Sequence, residues 1–226
     1  MVITNYIFPI SVFLGFFLSA VWLVFFLLED KKKPEPKSAI TKTFVLGMVS
    51  ALVAAGISRG FLFIAPFLGI LDYSMMSISV HALIEELVKF LAVFIFISQT
   101  CHFDEPIDRI IYMITAALGF AVVENFFFIM SATSLAEIII ISVFRFIGAT
   151  LMHSLSSGIL GSMWAKGRLL LGIILATIIH IIFNLLILDF GPKFYPTVFL
   201  VLVAFVLFYE FDIIKTYYYE KQTRRK

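Results

Sequence analysis

The sequence predicts an all-α fold, a polytopic bundle of about seven membrane-spanning helices with one short interfacial or re-entrant segment. Three observations predict it. Hydrophobic residues make up 62% of the 226-residue chain and charged residues 14%, outside the range of soluble domains. The run from Met1 to Leu28 contains no charged side chain and is longer than the roughly 20 apolar residues a crossing needs. Apolar blocks of spanning length then recur along the rest of the chain.

The first block has nothing basic before Glu29, where a secretory signal peptide would carry a basic start and a small-residue cleavage site, so it reads as a retained helix. Lys31–Lys37, with Pro34 and Pro36, is a short extended connector. Further spans follow at 40–58, 84–101, 110–130, 138–164, 169–188 and 196–214. Gly60–Leu71 is apolar but short and holds Pro66, so it is the interfacial or re-entrant piece rather than an eighth crossing. Tyr217–Tyr219 are interfacial anchors before a basic tail. With no repeat and no long polar stretch, residues 1–226 form one domain, and the helices that bear chemistry lie at about 80–190.

Lysine and arginine set the orientation. With seven crossings, Lys31, Lys32, Lys33, Lys37, Lys42, Arg109, Lys166, Arg168, Arg224, Arg225 and Lys226 share one side, and Arg59 and Lys193 remain on the other. The chain is therefore expected in the cell membrane with its N-terminus outside and its C-terminus cytoplasmic. A net charge of +2 gives no footprint for nucleic acid, so the lipid bilayer is the expected medium and no nucleic acid the expected partner. The single cysteine, Cys101, excludes an intramolecular disulfide and a multi-cysteine metal site.

A charged side chain at bilayer depth costs a few kcal/mol, so such residues face a bundle interior or a cavity and mark function. Here they are Glu85, Glu86 and Lys89, then Glu124, then Arg145 and His153, then His180, with Asn125 and Asn184 beside them. Lys89 lies three residues after Glu86 and four after Glu85, so its ammonium can reach either carboxylate and leaves the other as a spare. That spare is a candidate base, or is held by another cation such as a metal. His180 and Asn184, four apart, share a helix face on which an amide can assist an imidazole. Glu and His on facing helices are also how bundles build metal and acid–base sites. At about 1.5 Å per residue, Glu124 and His180 fall about 20 and 16 Å from the cytoplasmic ends of their helices and Glu86 near the outer end. His81 and the polar loop of His102, Asp104, Glu105 and Asp108 read as solvated.

Glu85-Glu86-x-x-Lys89, Gly119-Phe-Ala-x-x-Glu124-Asn125, Arg145 followed eight residues later by His153, and His180-x-x-x-Asn184 together resemble the PrsW family of intramembrane proteases, across roughly 80–190. That family is distantly related to CAAX-prenyl endopeptidases and bacteriocin-processing proteins. The resemblance implies a metallopeptidase acting on a membrane-anchored protein or peptide, with a site reached from the extracytoplasmic side. It matches Glu85 and Glu86 to the family's essential acidic pair, and His153 and His180 to its histidines. Lys89, Glu124, Asn125, Arg145 and Asn184 match its supporting polar residues.

Amide hydrolysis needs an activated water, a partner for the oxyanion and a proton for the leaving amine. In a zinc version His153 and His180 bind with one or two of Glu85, Glu86 and Glu124, Glu86 and Glu124 foremost, and a glutamate outside the ligand set takes the proton; Glu86 is the preferred base where it is not a ligand. No HExxH motif supports it. In a metal-free version a glutamate activates water directly while His153, His180 and Asn184 donate to the oxyanion. The rival from another class is a proton- or cation-coupled transporter that uses the same residues as a relay.

Overall fold

The computed structural model describes residues 4–30, 33–188 and 194–223. Lys31, Lys32, Lys193, Arg224, Arg225 and Lys226 of the basic pattern lie outside the described residues, as does the Tyr219 side chain. The fold is all-helical. Its long helices are α1 (Thr4–Leu27), α2 (Lys37–Ile64), α3 (Met75–Phe96), α4 (Asp108–Met130), α5 (Leu135–Ala165), α6 (Leu169–Leu188) and α7 (Tyr195–Thr223). Six of them are long and apolar enough to cross a membrane. The other, α3, has 22 residues, a length of about 33 Å, and contains Glu85, Glu86 and Lys89.

Helix α4 is the axis of the bundle, packed against α1, α2 and α5 and buried along most of its length. Lipid offers no hydrophobic drive between helices, so close backbone approach supplies the packing, and small residues permit it. A Cβ added at Gly119 of α4 would lie 2.0 Å from the Phe44 carbonyl oxygen of α2, and one at Gly47 of α2 would lie 2.0 Å from that of Ala116. Side chains larger than hydrogen would force these helices apart. Gly161 of α5 meets the α4 backbone at Arg109 and Ile110 in the same way. Large apolar side chains of α1, α2, α6 and α7 point outward, as lipid-facing surfaces do.

Two elements differ from the sequence expectation. Gly60–Ile64 are the last residues of α2, and Ala65–Leu68 form a 3-10 turn closed by Gly69 at φ 69°. Gly60–Leu71 is thus no separate re-entrant piece. Pro66 sits at the start of that turn, where its missing N–H leaves no helical bond unmade. Helix α3 begins at Met75, well before residue 84, because Ser74 caps it by accepting from the Ser77 N–H at 3.2 Å. Ser79 returns its hydroxyl to the Met75 carbonyl at 2.7 Å, so polar residues that lower the hydropathy here do not break the helix. Glu86 is therefore in the middle of α3, about 15 Å from either end, and not near the outer end.

Ion pairs gather the connections at one end of the bundle. Lys33, between α1 and α2, reaches Asp104 at 2.6 Å and Glu105 at 3.0 Å, both between α3 and α4. Lys166, after α5, pairs with Glu210 of α7, and Lys215 of α7 pairs with Glu29 after α1 at 2.9 Å. The α1–α2, α3–α4 and α5–α6 connections and the second half of α7 thus share one end.

Candidate active site

Four helices bring charged and polar side chains to mid-depth. From α3 come Glu85, Glu86 and Lys89, from α4 Glu124 and Asn125, from α5 Arg145 and His153, and from α6 His180. Glu86 and Lys89 are fully buried, and His153 and His180 nearly so.

Glu86 is saturated. Its Oε1 accepts from Lys89 Nζ at 2.7 Å, from His180 Nδ1 at 2.9 Å and from Ser156 Oγ at 3.2 Å, and its Oε2 accepts from Ser157 Oγ at 3.3 Å. Lys89 also donates to His153 Nδ1 at 3.1 Å. An ammonium has only donors, so that bond places the His153 ring proton on Nε2, which gives it to Glu124 Oε2 at 2.8 Å. The same Glu124 oxygen accepts from Arg145 Nη2 at 2.6 Å. Arg145 Nε donates to Asn125 Oδ1 at 2.5 Å, Asn125 Nδ2 donates to Thr150 Oγ1 at 3.0 Å, and the guanidinium lies 4.1 Å from the centre of the Phe128 ring.

Three carboxyl groups thus face two fixed cations. Lys89 takes Glu86 and Arg145 takes Glu124, which leaves Glu85. Its Oε2 is buried without a hydrogen-bond partner among the described residues and lies 3.7 Å from His180 Nε2. In the neutral ring, giving Nδ1–H to Glu86 leaves the Nε2 lone pair turned toward that oxygen. A lone-pair nitrogen and a carboxylate oxygen cannot bond each other, and 3.7 Å is too long in any case. A water or a cation satisfies both atoms at once. Donor atoms of Glu85, His153 and His180 lie within 4.8 Å of one another, so this group could hold a metal ion.

The ligand set expected from the sequence, His153, His180, Glu86 and Glu124, is grouped differently here. Glu86 and Glu124 each spend their charge on a buried cation, and Glu85 stands with the histidines instead. Asn184 follows His180 by one turn on α6 and is half-buried, but among the described residues no hydrogen bond joins the two. His81 stays apart, edge-on to Phe61 at 5.5 Å. Ser156, Ser157 and Thr150 are site residues that the sequence expectation omits. The serines stand three and four residues after His153, the spacing of a shared helix face, and that is the signal they carry.

Helix α5 is irregular at the site. Arg145–Thr150 form a π turn between α-helical Leu135–Phe144 and Leu151–Ala165. In an unbroken α-helix, residues eight apart point about 80° away from each other. A π turn takes up about one extra residue, so eight residues close roughly two whole turns. Arg145 and His153 therefore fall on one face and reach the same oxygen of Glu124.

A helical bundle of membrane type with carboxylates and imidazoles buried on facing helices defines a class: polytopic membrane proteins with a cluster of acid–base side chains at the centre. The chain belongs to one such family, since the model described as "PrsW family intramembrane metalloprotease" matches residues 35–210. It is similar to "Protease PrsW" of Geobacillus kaustophilus (strain HTA426), 29% identical over 147 residues, which are 65% of this chain and 61% of that protein. It is also similar to "Protease PrsW" of Clostridioides difficile (strain 630), 31% identical over 103 residues, 46% of this chain and 43% of that protein. The matches thus span less than two thirds of either relative. No solved structure matches the chain.

Proposed function

We propose that this protein is a membrane-embedded endopeptidase that hydrolyses a peptide bond of a membrane-associated protein, and that Glu85 and His180 handle the attacking water. The observation that carries this is the partnerless Glu85 Oε2 facing the lone pair of His180 Nε2 at 3.7 Å. A water there donates one hydrogen to each. Glu85 takes a proton as the oxygen attacks the substrate carbonyl and later delivers it to the leaving amine. Asn184, one turn along α6, offers an amide to the oxyanion. Glu86 is then the orienter rather than the base: it fixes the tautomer of His180, as a carboxylate behind an imidazole does.

The donor set also fits zinc, which takes two imidazole nitrogens and a carboxylate oxygen and keeps a position open. Glu85, His153 and His180 would hold it, and it would supply Lewis acidity and a more acidic water. His153 now has both ring nitrogens engaged, so Glu124 competes with a metal for Nε2.

The basic end of the bundle faces the cytoplasm in this reading, by the positive-inside rule, and the site is reached from the opposite side. Labelling of a cysteine placed in the C-terminal tail by an impermeant outside reagent would overturn that orientation.

The test of function is cleavage by the purified full chain in lipid nanodiscs, using a library of fluorescent single-span peptides with varied segments flanking the span. Expected is cleavage that disappears in His180→Ala. If chelation abolishes it and about one zinc per chain is found by elemental analysis, the metal version holds. Negligible zinc with activity surviving chelation selects the direct glutamate version. Cleavage of no library member, with proton uptake into proteoliposomes instead, would replace the peptidase with a transporter.

A further inference from the structure

Helix α1 lies outside the residues matched by the family model and contributes no charged side chain to the site, yet it touches the one irregular turn on which the site geometry depends. The Trp22 indole N–H donates to the Phe146 carbonyl at 2.9 Å, and the two rings stack with centroids 5.3 Å apart and planes at 30°. Phe146 is the second residue of the π turn and the neighbour of Arg145.

Carbonyls in a π turn lose their usual partner four residues on, so a donor from outside favours the π form over the α form. In the α form the part of α5 before the turn would rotate relative to the part after it. Arg145 and His153 would then no longer share Glu124 Oε2. The brace is itself seated: a Cβ on Gly15 of α1 would lie 2.9 Å from the Val122 carbonyl oxygen of α4, two residues before Glu124.

We infer that Trp22 is a positioning residue for the candidate site, holding the π turn of α5 in the register that puts Arg145 and His153 on one oxygen of Glu124. This deepens the peptidase reading by extending the site's supports to α1. It rests on that reading for its functional meaning, though not for its test.

The test uses the whole chain in nanodiscs and the variant Trp22→Phe, which keeps an aromatic ring and removes the N–H. Hydrogen–deuterium exchange should rise about tenfold over residues 145–151, equivalent to about 1.4 kcal/mol, with α4 and α6 unchanged. The 15N imidazole resonance of His153, assigned by its absence in His153→Gln, should shift as Glu124 loses its fixed arrangement. Unchanged exchange and an unchanged resonance would overturn the inference. So would exchange that rises equally along all helices while the His153 resonance stays put, because that marks general packing. Neither readout involves cleavage, so failure of the peptidase reading and failure of this inference are separate results.

Discussion

The bundle uses acids and bases in two places, at the end where the basic loops gather and at mid-depth, and the same residue types behave differently in each. At the end, Lys33 and Asp104 are both more than half exposed and the pair ties two connections together. At mid-depth, Lys89 and Glu86 have no exposure, and their polar atoms are answered by each other, by an imidazole or by a serine. Water is at hand for the exposed pair, whereas Lys89 and Glu86, with no exposure, depend on protein partners. Glu85 Oε2 shares its lack of a partner among the described residues with Glu105 Oε2, Asp108 Oδ1 and Glu210 Oε2 nearer the end, and it differs from them in standing beside two imidazoles.

The largest effect that would sharpen this contrast is Lys89→Met. Removing one partner of a buried pair leaves the other uncompensated, and the expected loss is about 3–5 kcal/mol in denaturant unfolding of the micelle-bound protein. The double change Lys89→Met with Glu86→Gln should recover part of that loss, because it removes the uncompensated charge. A single variant as stable as the parent would erase the distinction between the two places.

Next in size is Gly119→Ala, which sets a methyl against the Phe44 carbonyl and pushes α2 away from α4. Overpacking of this kind costs about 1–3 kcal/mol. It tests whether backbone spacing, rather than charge pairing alone, holds the centre.

The smallest expected effect is that of Lys33→Ala, about 1 kcal/mol, because Lys33 and its Asp104 partner are exposed and only its second partner, Glu105, is buried. The hydrogen bonds that Lys33 donates to Asp104 and Glu105 raise its pKa above the ordinary 10.5. Its contribution is thus fully present below pH 10.5 and lost as pH rises through the higher folded value, so the effect of Lys33→Ala should be flat between about pH 7 and 9. A steep change across that window would show that the pair carries more than a surface contact.

The membership of the mid-depth group was legible because charge at bilayer depth is costly and few residues there carry it. Who pairs with whom was not. Lys89 is within reach of Glu85 and Glu86 alike along its own helix, and the choice is made by His180, Ser156 and Ser157 from other helices. The eight-residue interval from Arg145 to His153 places them on different faces of any regular helix, and the π turn that aligns them leaves no pattern in composition. The spans themselves were readable from hydropathy. The start of α3 was hidden, since hydropathy penalises serine hydroxyls that the helix satisfies internally.

In the proposed mechanism Glu85 acts and Glu86 supports, and a comparison of Glu85→Gln with Glu86→Gln separates the two roles, read by cleavage of a single-span peptide found to be a substrate alongside unfolding of each variant. The prediction is that Glu85→Gln unfolds like the parent but cleaves about 100-fold or more slowly. Glu86→Gln should lower stability, since it weakens the anchor of Lys89 and His180. A folded Glu86→Gln variant that has lost cleavage, beside a Glu85→Gln variant that retains it, would contradict the account.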